Sequence, residues 1–256
     1  MDYKDYQNIL VEFENSTATL YLNRPGIHNA FDDVTISEMT DAFQRFGKDP
    51  DVKVIILAAK GPSFCAGADL NWMKRMGEVS YDDNFDDALR FFKMIFTIYS
   101  CDKPTIARIH GLSFGGGNGM ISACDIAVAA DNSEFSVSEI RVGLAPALIS
   151  PFIMKKIGEG YSREFMLTSE RFSAETAFRI GLINRIVPED KLDEEVSNII
   201  GKLKLMAPEA LIKCKKMIRV NAGMDEKEIG TFHARLIADL RCTDEAREGI
   251  MAFLEK

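Results

Sequence analysis

The stretch HGLSFGGGNGMISACD (110–125) holds five glycines in its first ten residues: Gly111, Gly115, Gly116, Gly117 and Gly119. Glycine inside a regular element costs about 0.5–1 kcal/mol relative to alanine, so such a cluster marks backbone that must come close to something. A phosphate-cradling P-loop would need a lysine directly after the glycines, and none follows. A dinucleotide-binding turn would need a third glycine where Met120 stands, after Gly115 and Gly117. GLSFG (111–115) does fit G-x-S-x-G between a strand and a helix, which would make Ser113 the nucleophile of a hydrolase elbow. Its base would have to be His233, the only downstream histidine, which lies in a charged helical segment where a solvated ring is the simpler role. The glycines could also serve packing alone, letting a helix sit tightly on the preceding strand.

A second stretch, GPSFCAGADLNWM (61–73), repeats the arrangement of strand, small residues, then helix. Two such turns after neighbouring strands can aim two backbone N–H groups at one point. That pair would stabilise the oxygen of a polarised carbonyl, usually the largest single source of rate acceleration in enolate chemistry. Small residues suit the task, because the oxygen must come within about 3 Å of each nitrogen.

The elements that must position these turns follow from the apolar patterning. Runs at 18–22, 52–59, 104–110, 125–130 and 183–187 are β-branched or continuously apolar and predict strands. Helical spacing predicts helices near 33–47, 83–99, 116–124 and 173–180. The second of these opens on a capping box, Ser80 with Asp83, and carries Phe85, Leu89, Phe92, Ile95, Phe96 and Tyr99 as its apolar stripe. Gly181 stands where a helix-ending glycine would. After about residue 190 strand signals stop and amphipathic helices take over. This predicts an α/β core over 1–190 and a helical region over 191–256.

Composition limits the function. The chain has 256 residues and a net charge of −8, which argues against nucleic acid as a partner. No stretch reaches the roughly 18 uninterrupted apolar residues of a membrane span. The N-terminus lacks the basic and apolar regions of a signal peptide. Cys65, Cys101, Cys124, Cys214 and Cys242 are odd in number and unpaired in pattern, which predicts reduced thiols in the cytoplasm. His28, His110 and His233 are too scattered to suggest a metal site.

Five blocks carry a family resemblance: LNRPGIHNAFD (22–32), FCAGADLNWM (64–73), KPTIARIHGLSFGGGNGMISACDIAVAA (103–130), FSVSEIRVGLAPA (135–147) and LTSERFSAETAFRIGL (167–182). In that order they resemble the crotonase, or enoyl-CoA hydratase/isomerase, superfamily along essentially the whole chain. The resemblance implies a spiral of ββα turns with a C-terminal helical region that builds trimers or dimers of trimers. It implies an acyl-CoA substrate and no cofactor beyond the CoA of the substrate itself.

Residue by residue, Ala68 and Gly116 match the two oxyanion-hole N–H donors of the family. Ala66, Gly67, Asp69 and Leu70 match the backbone around the adenine and pantetheine, Gly115 flanks the second donor, and Arg24, Ile27 and His28 lie on the other side of the CoA. Lys256 matches a lysine that reaches the CoA 3′-phosphate of a neighbouring subunit. Of the two glutamates usual in hydratases of the family, one position holds Gly119 and the other Glu139. Placed between Phe135 and the apolar VGLAPA run, Glu139 is expected to be partly buried, with its pKa raised toward acid/base use. One carboxylate can hydrate an enoyl thioester or shuttle a proton between C2 and C4. The texture of 138–172 resembles the branch acting on branched or carboxylated substrates such as 3-methylglutaconyl-CoA, which favours hydration. Ala147, Leu148 and Ile149 replace a common glycine pair, so the acyl wall is expected to differ, with Trp72, Met73, Met76 and Phe114 as lining candidates. A Ser113 thioesterase and a non-catalytic CoA-binding protein are the distant alternatives.

Overall fold

Val54–Ala59 is buried along its whole length, so both faces of the sheet that holds it must be covered. A computed structural model of the chain describes residues 6–221. The chain begins with β1 (Ile9–Glu14), β2 (Thr17–Leu22), α1 (Asp33–Lys48) and β3 (Val54–Ala59). It continues with α2 (Leu70–Met76), α3 (Tyr81–Ser100), β4 (Thr105–Ile109), β5 (Leu112–Phe114), α4 (Gly116–Ala123), β6 (Ile126–Ala130) and β7 (Glu134–Ser136). The rest is α5 (Ser150–Thr168), β8 (Phe172–Ser173), α6 (Ala174–Arg179), β9 (Arg185–Val187), α7 (Leu192–Lys204) and α8 (Pro208–Asn221).

The main sheet runs β1-β2-β3-β4-β6-β9, parallel except where β1 pairs antiparallel with β2. The five strands expected from the sequence are β2, β3, β4, β6 and β9; β1 adds an outer edge. Side chains alternate across a strand, and here both sets find cover. Ile55, Leu57 and Ala59 join the large core with Ile36, Met39, Phe43 and Phe46 of α1. Val54, Ile56 and Ala58 pack under Leu192, Val196 and Ile199 of α7, so the first helix past residue 190 belongs to the same packed body. β5, β7 and β8 form a second, small sheet.

Local signals set the helix starts. The Asp32 side chain accepts from the Thr35 N–H at the head of α1, and Ser80 accepts from the Asp83 N–H at the head of α3. The Ser80 hydroxyl also donates to Asp83 Oδ2 at 2.7 Å, so the pair ties the first turn together side chain to side chain. In α3 the buried stripe differs from the expected one. Phe91, Met94, Ile95 and Ile98 are buried together with Asp87, whereas Phe85, Leu89 and Phe96 are exposed. This helix is apolar on two faces, and the face turned to the core is the one holding Phe91 and Ile95.

Parallel pairing of β3 with β4 fixes the site. Their C-terminal ends leave the sheet at the same edge, so the turns that follow them meet there, the usual ligand position in open α/β sheets.

Candidate active site

The two turns are laced together by backbone. Cys65 N–H donates to the Leu112 carbonyl at 3.0 Å, and Phe114 N–H donates to the Cys65 carbonyl at 2.8 Å. On the other side, Phe31 N–H donates to the Gly67 carbonyl at 2.9 Å and Asp69 N–H donates to the Phe31 carbonyl at 2.8 Å. Extended backbone alternates its polar groups between edges, so the N–H of Ala68 points away from Phe31. It has no partner among the described residues. The Gly116 N–H is equally unpaired, because Gly116 opens α4 and the first N–H groups of a helix have no intrahelical acceptor. Gly115 makes the approach possible at φ +49°, in the region only glycine enters freely. Ala68 and Gly116 line one cavity.

The glycines of α4 serve packing as well as access. A Cβ at Gly116 would lie 2.5 Å from Phe31 Cε1 and 2.9 Å from Phe91 Cζ. One at Gly117 would lie 2.9 Å from Cys65 Cβ. The oxyanion corner is therefore backed by two aromatic rings in van der Waals contact with bare backbone. The packing role and the ligand role, alternatives in the sequence, coexist here.

Glu139 heads a short 3₁₀ turn, Glu139–Val142. Its carboxylate hangs over the same corner, since a Cβ on Gly115 would be 3.0 Å from Glu139 Oε1. Oε2 is buried and has no hydrogen-bond partner among the described residues. Burial pushes the pKa of Glu139 up, only partly offset by the backbone N–H groups of Glu139 itself and Ser138. A carboxylate kept dry, half-unpartnered and above its usual range is a base poised to take a proton.

At Gly119, where the family's other glutamate would stand, the space is filled. A Cβ there would sit 2.3 Å from Ile149 Cγ2 and 2.9 Å from Ile149 Cβ. Ile149 is buried and lines the cavity wall. Glycine at 119 and isoleucine at 149 fit as hole and knob, so no carboxylate can be housed on that side.

The cavity measures about 620 Å³, in the range of small-molecule sites. Trp72, Met73, Met76, Phe91, Leu148 and Ile149 give it apolar walls, as anticipated for the first three. Phe114 does not line it; its ring lies beneath Arg171, 5.0 Å from the guanidinium carbon. Ala66, Gly67, Leu70 and Gly115 line it with the donors. Arg24, Ile27 and His28 stand outside the lining. The Arg24 guanidinium is engaged by Asp32 at 3.1 Å, Asp69 at 3.0 Å and the Ala30 carbonyl at 2.7 Å, so it braces the turn. His28 holds the turn through its carbonyl, which accepts from Ala66 N–H, and through Nδ1, 2.9 Å from Ser63 Oγ. Asp69 caps α2, accepting from Asn71 and Trp72 N–H. Burial pushes its pKa up, but those N–H groups and Arg24 outweigh it and hold the carboxyl below its usual range.

Ser113 is fully buried, its hydroxyl touches no partner, and it lies off the cavity. Burial away from the cavity speaks against Ser113 as a nucleophile, and no base contacts it among the described residues. His233 and Lys256 lie outside the described residues. Asp87 and Arg141 also line the cavity and were not anticipated.

Fold and site together define a crotonase-type α/β spiral in which a backbone N–H couple, unpaired among the described residues, faces one half-buried glutamate. The chain belongs to the enoyl-CoA hydratase/isomerase family, whose model matches residues 12–256. It is 31% identical over 255 residues to a crotonyl-CoA hydratase of Syntrophomonas wolfei, covering 98% of this chain and 96% of that protein. The crystal structure of an enoyl-CoA hydratase from Shewanella pealeana superposes with a TM-score of 0.93 at 33% identity, covering 97% of this chain and 94% of the other. AtuE of Pseudomonas aeruginosa superposes at 0.94 with 25% identity, covering 97% and 96% of the two chains.

Proposed function

We propose that this protein is an enoyl-CoA hydratase for a short or branched 2-enoyl-CoA, with 3-methylglutaconyl-CoA among the candidate substrates. The observation that carries the reading is the half-buried Glu139 carboxylate, its Oε2 dry and unpartnered among the described residues, over the corner formed by Ala68 and Gly116. The thioester oxygen accepts from both N–H groups. Glu139 takes a proton from water as the water oxygen bonds to C3, and the C2–C3 π electrons move onto the thioester as an enolate. The two N–H groups hold that negative charge. Glu139, now protonated, returns the proton to C2, so one molecule of water is added and the carboxylate is restored.

The knob-and-hole fit of Ile149 with Gly119 favours a second reading, Δ3-Δ2 isomerisation, because moving a proton from C4 to C2 needs one carboxylate and no water. Incubation with crotonyl-CoA, 3-methylglutaconyl-CoA and a 3-enoyl-CoA separates the two. Hydration removes the conjugated enoyl-thioester absorbance from the first two, and isomerisation creates it from the third. Loss of absorbance with either 2-enoyl substrate at a kcat of order 1 s⁻¹ or more supports the hydratase. Growth of absorbance from the 3-enoyl substrate alone overturns it.

The exposed Phe85, Leu89 and Phe96 stripe of α3 supports a self-assembled enzyme, since monomers seldom leave such stripes uncovered. A homotrimer or a dimer of trimers is the proposed assembly, with Lys256 of one subunit reaching the CoA phosphate held by its neighbour.

A further inference from the structure

The α3 segment YDDNFDD (81–87) contains four aspartates, and three of them are exposed. The fourth, Asp87, is buried to 6% exposure and lines the acyl cavity. Burying a carboxylate is costly unless it is paired or used. Its one partner among the described residues is Arg90, whose Nη2 lies 3.1 Å from Oδ1 while that side chain is 60% exposed. Oδ2 has no partner among the described residues. Asp87 and Phe91 are four residues apart and share one helix face, and Phe91 is the ring packed against Gly116. Asp87 thus stands about one helical turn, roughly 5–6 Å, along α3 from Phe91, on the wall of the cavity that Ala68 and Gly116 also line.

We propose that Asp87 supplies the polar contact that Gly119 and Ile149 leave absent. Oδ2 accepts a hydrogen bond from the attacking water and positions it for C3, while Glu139 alone moves the proton. The inference rests on the hydratase reading. Arg90 engages Oδ1, which leaves Oδ2 to accept from water in the cavity that Asp87 lines. In this arrangement the second carboxylate of the site comes from the helix that covers the acyl chain, not from α4. Asp87 is accordingly a positioning residue for water.

The test uses the full-length enzyme with Asp87→Asn and Asp87→Leu, each checked by thermal melting. Two readouts are compared: hydration of the better 2-enoyl-CoA substrate, and affinity for a 3-ketoacyl-CoA, which loads the oxyanion corner but has no double bond to hydrate. Asp87→Leu should lower the hydration kcat by about 10²-fold, with 3-ketoacyl-CoA affinity within three-fold of wild type. Asp87→Asn keeps an acceptor oxygen and should retain several-fold more activity than Asp87→Leu. Hydration within three-fold of wild type in Asp87→Leu overturns the proposal. Equal losses of hydration and of 3-ketoacyl-CoA affinity also overturn it, because Asp87 would then only shape the pocket. A wild-type enzyme that hydrates nothing overturns the hydratase reading itself, an outcome distinct from the other two.

Discussion

Asp69, which caps α2 behind the Ala68 turn, and Glu139, which lines the cavity, carry the same chemical group and meet opposite fates. Asp69 accepts two helix N–H groups and an arginine, so its charge is held and its pKa falls. Glu139 keeps one oxygen dry and unpartnered, so its charge is costly and its pKa rises. The first carboxylate fastens the Ala68 turn; the second is left free to exchange a proton. Perturbed pKa values mark function only when the perturbing cause is known. Satisfaction by N–H groups and guanidinium marks a brace, and desolvation that N–H groups only partly relieve marks a base.

The contrast can be broken most severely at the corner both residues serve. Gly116→Val places a branched side chain into Phe31 and Phe91 and displaces the N–H. It should cost about 2.7–4 kcal/mol of transition-state stabilisation, roughly 10²–10³ in kcat, with a lowered melting temperature. Steady-state kinetics and calorimetry would check both effects.

Gly119→Glu asks whether the site merely lacks a group. With Ile149 Cγ2 2.3 Å from the new Cβ, overpacking should destabilise the protein by about 1–3 kcal/mol, and hydration should fall by about 10-fold. Faster turnover of the native substrate in this variant would contradict the knob-and-hole account.

A finer test sets the two carboxylates against each other by the sign of their effect on stability. The lowered pKa of Asp69 contributes stability that is present above its unfolded value near 3.9 and is lost as pH falls through the folded pKa. Asp69→Ala should therefore cost about 1 kcal/mol at neutral pH, including the lost cap, and less in acid. Glu139 has the opposite linkage: its raised pKa means ionisation disfavours the fold as pH rises above about 4.3. Glu139→Gln should then raise the neutral-pH melting temperature by about 2 °C. Melts of both variants at pH 7 and pH 4 would reveal the crossing, and equal signs at pH 7 would break the comparison.

The smallest effect belongs to Ser113→Ala. Its hydroxyl is buried without a partner, so removing it should leave turnover within about two-fold and stability unchanged or slightly higher.

Much of this was legible in the sequence, for definite reasons. The inner strands are continuous apolar runs because both sheet faces are covered, and the two turns announce themselves by small residues after strands. Glu139 was picked out by the family resemblance, and its apolar flanks added only the expectation of partial burial. β1 was missed because only Ile9 of its six residues is buried, so an outer strand reads as polar chain. The stripe of α3 was misplaced because two of its faces are apolar and periodicity cannot say which is covered. Asp87 is indistinguishable in sequence from Asp82, Asp83 and Asp86; only packing buries one of the four. The Gly119–Ile149 fit joins residues thirty positions apart, a relation no local pattern encodes.

The central claim is that Glu139 moves the proton at a corner built by Ala68 and Gly116. The most direct test is the kcat of Glu139→Gln on the best 2-enoyl-CoA substrate, with 3-ketoacyl-CoA affinity measured on the same preparation. In the wild type, activity should rise with pH through an apparent pKa above that of an ordinary glutamate, because the base works ionised and burial raises its pKa. In the variant, kcat should fall by about 10²-fold or more with affinity within three-fold. Turnover of Glu139→Gln within ten-fold of wild type, with the acid limb of the pH profile unchanged, would contradict the account.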